Sequence, residues 1–224
     1  MSDMERQDDS PKITKRNIAI FLAISTVGLT FGYISSRMVA SYKENKISSV
    51  EGLLWPGKKI NRFNLNSTDG TEFTQDNFLG KWSFLFFGFM TCPDTCPTTL
   101  KVMATAQNEI RKSELGSNMQ VIYASVDPER DSIEAMKPYV EYFDPTFKGI
   151  TGSLNALNVL TNQLGVLHIR NEPNEFGYYD VEHSASIIVV DPDGRRVGIL
   201  STPHTPSNIA NRFQEIRKHV ESQS

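Results

Sequence analysis

Residues Lys81 to Leu100 read "KWSFLFFGFMTCPDTCPTTL", and the rest of the chain is organised around this stretch. Its first half, residues 81–89, is a nearly continuous apolar and aromatic run, as in a strand buried on both faces. Its second half holds the only 2 cysteines of the chain, Cys92 and Cys96. Beyond them "TTLKVMATAQNEIRKS" sets Leu100, Met103, Ala104 and Ile110 at helical spacing. The thiols therefore fall between the carboxyl end of a buried strand and the start of a helix, where open α/β sheets place their chemistry. A disulfide between them would close almost no loop, so stability does not explain the pair.

Outward from this stretch the pattern alternates. "KINRFNLNSTDGTEFTQDNFLG" alternates apolar and polar residues about Asp69-Gly70, which predicts a β-hairpin. "MQVIYASVD" (119–127) predicts a strand and "SIEAMKPYVEYF" (132–143) a helix with Pro138 inside it. "FKGITG" predicts a short strand and "LNALNVLTNQLG" a helix. "SASIIVVDPDGRRVGIL" predicts two strands joined at Asp193-Gly194, before an amphipathic helix over "PSNIANRFQEIRKHV". The fold class expected is α/β: a thioredoxin-like fold with a mixed central sheet flanked by helices and an N-terminal β-hairpin extension.

Composition adds little. The 23 Lys and Arg against 26 Asp and Glu give a formal charge of −3, and no basic, aromatic-lined face points to nucleic acid. The N-terminus says more. Residues 18–34, "IAIFLAISTVGLTFGYI", carry no charge and follow Lys12, Lys15 and Arg16. If the run continues to Ala40 it is long enough for a single transmembrane helix, with its basic flank held in the cytoplasm. Asp3, Glu5, Asp8 and Asp9 argue against a mitochondrial transit peptide. The expected organisation is a cytoplasmic tail (1–17), a transmembrane anchor (18–40), a tether (41–57) and one thioredoxin-like domain (58–224). The expected location is a bacterial inner membrane, with that domain in the periplasm.

The chemistry of the turn has two readings. If the helix begins at Cys92 or Pro93, the two sulfurs share one face, near a helix N-terminus that favours thiolate. Such a pair can be a redox dithiol, although thioredoxin-type sites place two residues between their cysteines and this turn has three. It can equally be two ligands of a metal site. Four histidines are candidates for a third ligand. His219 reads as a surface residue of the last helix, His204 as part of an exposed Pro-flanked loop, and His168 as a core or edge residue. His183 immediately precedes the strand "SASIIVV", and the loop entering that strand packs beside the cysteine turn in a thioredoxin-like layout. Two thiolates and one imidazole suit Cu(I), whereas zinc prefers a fourth ligand. Asp94 is too close to the turn to be an obvious fourth ligand but can reach the thiols through water. Met90 and Met103 are other soft side chains, Met103 on the core stripe. A peroxidase reading fails because Thr95 and Pro93 do not stand at the spacing its cysteine requires.

At this point the residues resemble a known family. "GFMTCPDTCPTTL", "SVDPERDSIEAM" and "VEHSASIIVVDPDG" occur in the order found in the Sco/SenC family of cytochrome c oxidase assembly proteins. Glu182 stands where that family often has aspartate, which keeps the charge. The resemblance implies a copper site made by Cys92, Cys96 and His183, with one ion per chain, Cu(I) in first place and Cu(II) in second. It implies a metallochaperone that delivers copper to, or prepares the thiols of, the Cu(A) centre. Its partners would be the copper-accepting oxidase subunit, an upstream copper donor and, through the anchor, the membrane. The alternative is an enzyme, a thiol-disulfide oxidoreductase that uses Cys92 and Cys96 catalytically on oxidase subunit cysteines without carrying copper. Asp127 and Asp94 are expected beside the metal, orienting a ligand or touching a partner, while Arg130 and Asp131 pair and shape their loop.

Overall fold

The computed structural model describes residues 25–26, 28–38, 50–112 and 118–223. The chain divides into two units, Met1–Ser49 and Val50–Ser224. In the first, residues 25–26 and 28–38 are helical and expose Leu29, Phe31, Tyr33, Ile34 and Met38. Among the described residues no helix is long and apolar enough to cross a membrane. Residues 18–24, 27, 39 and 40 of the expected anchor lie outside them.

The second unit is built on one mixed sheet. Its strands are β1 (Leu53–Lys59), β2 (Asn64–Ser67), β3 (Glu72–Thr74), β4 (Trp82–Gly88), β5 (Met119–Ser125) and β6 (Lys148–Thr151), followed later by β9 (Ile187–Val190) and β10 (Arg195–Leu200). Between these runs, β7 (His168–Arg170) and β8 (Val181–His183) form a separate two-stranded sheet. The helices are α1 (Thr95–Lys112), α2 (Ile133–Phe143), α3 (Leu154–Leu164) and α4 (Pro206–Glu221). The main sheet runs β1-β10-β9-β4-β5-β6-β2-β3, with β4 parallel to β5 and antiparallel to β9.

The apolar run that opened the sequence is β4, and every one of its residues is buried. Alternation sends Phe84 and Phe86 to one face, against Leu100 and Met103 of α1, Met136 of α2 and Phe213 of α4. Leu85 and Phe87 go to the other face, against Leu157, Leu160 and Leu164 of α3 and Phe73 of the hairpin. Burying each such side chain contributes about 1.5–3 kcal/mol, so the strand that ends at the cysteines is held from both sides. The helices are capped as their sequences suggest. Ser132, Ser153 and Thr205 accept backbone N–H bonds at the starts of α2, α3 and α4, and Pro206 occupies the first turn of α4, where a missing N–H costs nothing.

Three expectations change. The tether does not reach residue 57, because β1 begins at Leu53 and pairs with β10 at one sheet edge. The β2–β3 hairpin is an integral edge of the main sheet through β2–β6 pairing, so it is more than an extension. Helix α1 begins at Thr95, which leaves Cys92 in the preceding turn.

Candidate metal centre

β4 ends at Gly88, and the chain then turns, with the Cys92 N–H bonding to the Phe89 carbonyl at 3.2 Å. The Asp94 carbonyl accepts the Thr98 N–H at 3.1 Å and starts α1, with Pro97 in the first turn. Cys96 is therefore in the first turn of the helix and fully buried, while Cys92 stays half-exposed. The two do not share a helix face as the sequence suggested; the turn itself brings them together. Gly88 makes room for this. A Cβ at that position would lie 2.6 Å from the Cys96 sulfur, closer than side chains approach, and 3.1 Å from the Tyr123 ring.

His183 is the last residue of β8. Its ring meets Phe86 and Phe89 edge-on, at centroid distances of 6.1 and 5.8 Å. Nδ1 lies 3.2 Å from the Ser184 carbonyl. A carbonyl only accepts, so Nδ1 carries the proton and Nε2 keeps its lone pair, pointing at the Cys96 sulfur 3.6 Å away. The ligand atoms of Cys92, Cys96 and His183 all lie within 4.8 Å of one another, and this is the one such group among the described residues.

Without a cation, burial favours the uncharged forms of Cys96 and His183. Burial pushes the Cys96 thiol well above its ordinary value, with the Phe89 backbone N–H opposing it. The thiolate expected from the helix N-terminus is thus outweighed by desolvation. Burial likewise pushes His183 down, which keeps its imidazole uncharged. A bound cation would reverse the preference at sulfur, since a coordinating thiol is deprotonated. An open cleft of about 330 Å³ leads to the centre, lined by Cys92, Asp94, Asp180, Glu182 and His183. Its acidic rim favours an approaching cation. Two soft sulfurs and one imidazole, open on one side, suit a low-coordinate soft metal ion.

The remaining candidates fall in different places. Asp94 is exposed, accepts a bond from the Thr98 hydroxyl at 3.3 Å and lines the cleft. Asp127 is buried. It accepts the Tyr179 hydroxyl at 2.8 Å and pairs with Arg130, so the expected Arg130–Asp131 pair is replaced by Arg130–Asp127. Asp131 instead accepts the Met90 N–H at 2.9 Å and the Ser125 hydroxyl at 2.6 Å. Met90 packs at the edge of the core and Met103 within it. His204 is half-buried, and its Nε2 donates to the Ala185 carbonyl at 2.7 Å, a tie beside the centre that its Pro-flanked setting concealed. His219 packs edge-on against Trp55, at 5.2 Å between centroids, and is no free surface residue. His168 stands directly opposite His183 in the β7–β8 register. Burial, and secondly repulsion between the protonated forms of the two rings, hold its imidazole below the ordinary value. Sequence reasoning missed Tyr179, whose part depends on contacts to a loop 52 residues away.

The chain matches known proteins along nearly its whole second unit. The family model described as SCO1/SenC matches residues 56–218. Identity to the Arabidopsis thaliana protein SCO1 homolog 1, mitochondrial, is 30% over 207 residues, covering 90% of this chain and 61% of that protein. Identity to Saccharomyces cerevisiae protein SCO1, mitochondrial, is 30% over 211 residues, covering 93% and 69%. The chain thus spans between about three fifths and two thirds of these relatives. Among solved structures, Arabidopsis thaliana ScoI with copper bound superposes with a TM-score of 0.66 at 30% identity, covering 71% of this chain and 98% of that one. With the motifs in order, the fold shared and two thiols meeting one imidazole at the end of β4, the chain belongs to the SCO1/SenC family.

Proposed function

We propose that the chain is a copper-binding assembly factor for cytochrome c oxidase, holding one Cu(I) through Cys92, Cys96 and His183 and passing it to the subunit that carries the Cu(A) centre. The observation that carries this reading is the convergence of three soft or borderline ligand atoms within 4.8 Å, from segments 87 residues apart. The likeness to a copper-bound relative supports the choice of metal, and the family resemblance supports the oxidase as destination. Cys92 and His183 are both half-buried and line the cleft, whereas Cys96 is fully buried. A partner's ligand can thus displace a ligand at the cleft while Cys96 still holds the ion. Each thiol binds as thiolate and gives up a proton, which it regains on release.

The anchor belongs to the same proposal. Residues 18–40 span a bacterial inner membrane once, and the domain works in the periplasm. Protease treatment of spheroplasts should then degrade the domain while a tag on residue 1 stays protected.

The test of the centre is copper retention. Full-length protein loaded with Cu(I) should keep about one ion against a competing chelator, and His183→Ala should lose it with both thiols intact. Equal retention by His183→Ala overturns the three-ligand reading and leaves thiol-disulfide exchange, which needs only the cysteines.

A further inference from the structure

The two halves of the centre are carried by different sheets. The cysteine turn follows β4 in the main sheet, whereas His183 rides on β8, which among the described residues pairs with β7 alone. His183 joins the main sheet only four residues later, where Ile187 of β9 pairs with Phe86 of β4, and its ring meets Phe86 and Phe89. One short loop bonds to the segments on both sides.

We propose that the loop from Asp127 to Asp131 is a clamp that holds the two halves of the metal centre in register. Asp131 grips the cysteine side. Its carboxylate accepts the N–H of Met90, two residues before Cys92, and is itself steadied by the Ser125 hydroxyl and by its own N–H bond to the Asp127 carbonyl at 3.0 Å. Asp127, Glu129 and Arg130 grip the histidine side. Asp127 accepts the hydroxyl of Tyr179, four residues before His183. Arg130 pairs with Asp127, donates to the Tyr179 carbonyl at 2.9 Å and lies over the Tyr179 ring at 3.8 Å from its centroid. Arg170 of β7 covers the same ring at 4.0 Å and pairs with Glu129 at 2.5 Å. The bonds that include a charged partner are the stronger kind, and those to Asp127 and Asp131 are withdrawn from water, both residues being buried.

Helix capping does not account for the two aspartates, because Ser132 caps α2. They are positioning residues, acting on the ligands through Met90 and Tyr179. This inference rests on the three-ligand reading above, and its test separates the two.

Tyr179→Phe removes one hydroxyl and leaves the ring under both guanidinium groups. In full-length protein, Cu(I) affinity measured by chelator competition should fall about tenfold, the scale on which an outlying partner of a metal ligand acts. In the metal-free protein the His183 ring resonances should shift while the Met90 amide stays. Asp131→Ala should do the reverse, moving the Met90 amide, and Asp131→Asn, which keeps an acceptor, should restore both the amide and the affinity. Wild-type affinity and an unmoved His183 ring in Tyr179→Phe overturn the clamp even if Asp131→Ala fails to fold. If His183→Ala binds copper as well as wild type, the three-ligand reading falls and the clamp with it. If His183→Ala loses copper while Tyr179→Phe does not, the clamp alone falls.

Discussion

The cysteine turn hangs from β4, whose residues are all buried between helices on both faces. The histidine hairpin instead exposes much of its apolar surface: Leu167 is 78% exposed, Ile169 60% and Phe176 85%. One half of the centre is fixed by the same burial that stabilises the domain. The other is fixed by Tyr179 and Val181, which are buried in the core, and by polar contacts at its base. The contrast separates two costs: damage on the cysteine side should reduce stability and copper binding together, whereas loss of a polar contact on the histidine side should act chiefly on copper binding.

The sharpest way to break that comparison is Gly88→Ala. Its methyl group would enter the space of the Cys96 sulfur, and such overpacking in a filled core costs about 1–3 kcal/mol. Thermal unfolding should begin at lower temperature and copper affinity should fall with it. Loss of copper with an unchanged melting point would show that the cysteine side is no more tied to the core than the hairpin is.

A second comparison uses pH. Burial raises the Cys96 thiol and lowers the His183 imidazole, so in neutral solution the metal-free centre holds a proton on sulfur and none on Nε2. Copper must displace the thiol proton and need not displace one from the ring. Apparent affinity should therefore rise with pH through the neutral range, about tenfold per unit for each proton released. The metal-free fold should behave oppositely. A raised thiol contributes stability in full below its unfolded value of 9.0, and that contribution is lost as pH climbs above it. Chelator titrations and thermal melts across pH read the two trends, and flat affinity would show that Cys96 is already ionised.

The smallest expected effect is Ser132→Ala. The helix cap lost at α2 costs about 1 kcal/mol, yet the clamp contacts next to it remain. The melting point should drop slightly with copper affinity unchanged; a parallel loss of copper would mean that capping, and not the neighbouring aspartates, orders the loop.

Much of this was legible in the sequence. The β4 run, the cysteine pair after it, the hairpin at Asp69-Gly70 and the strand pair at Asp193-Gly194 are local patterns, and each forms where its residues indicate. His183 could be singled out because it precedes a strand that returns to β4. The sequence was silent where long-range contacts decide. β1 was hidden by Pro56-Gly57, which read as a turn; a register shift between Leu53 and Lys58 lets an edge strand absorb them. β7 and β8 have 3 residues each, too few to show a period of two. The partners of the loop around Asp127 were hidden, since nothing local links it to Met90, 41 residues before Asp131, or to Tyr179, 52 residues after Asp127.

The most direct measurement is X-ray absorption at the copper edge of the Cu(I)-loaded full-length protein, wild type beside His183→Ala. Scattering from two sulfurs and one imidazole in the wild type, with the imidazole signal gone from the variant, is the predicted result. An all-sulfur shell in the wild type, or identical spectra from the two proteins, would contradict it.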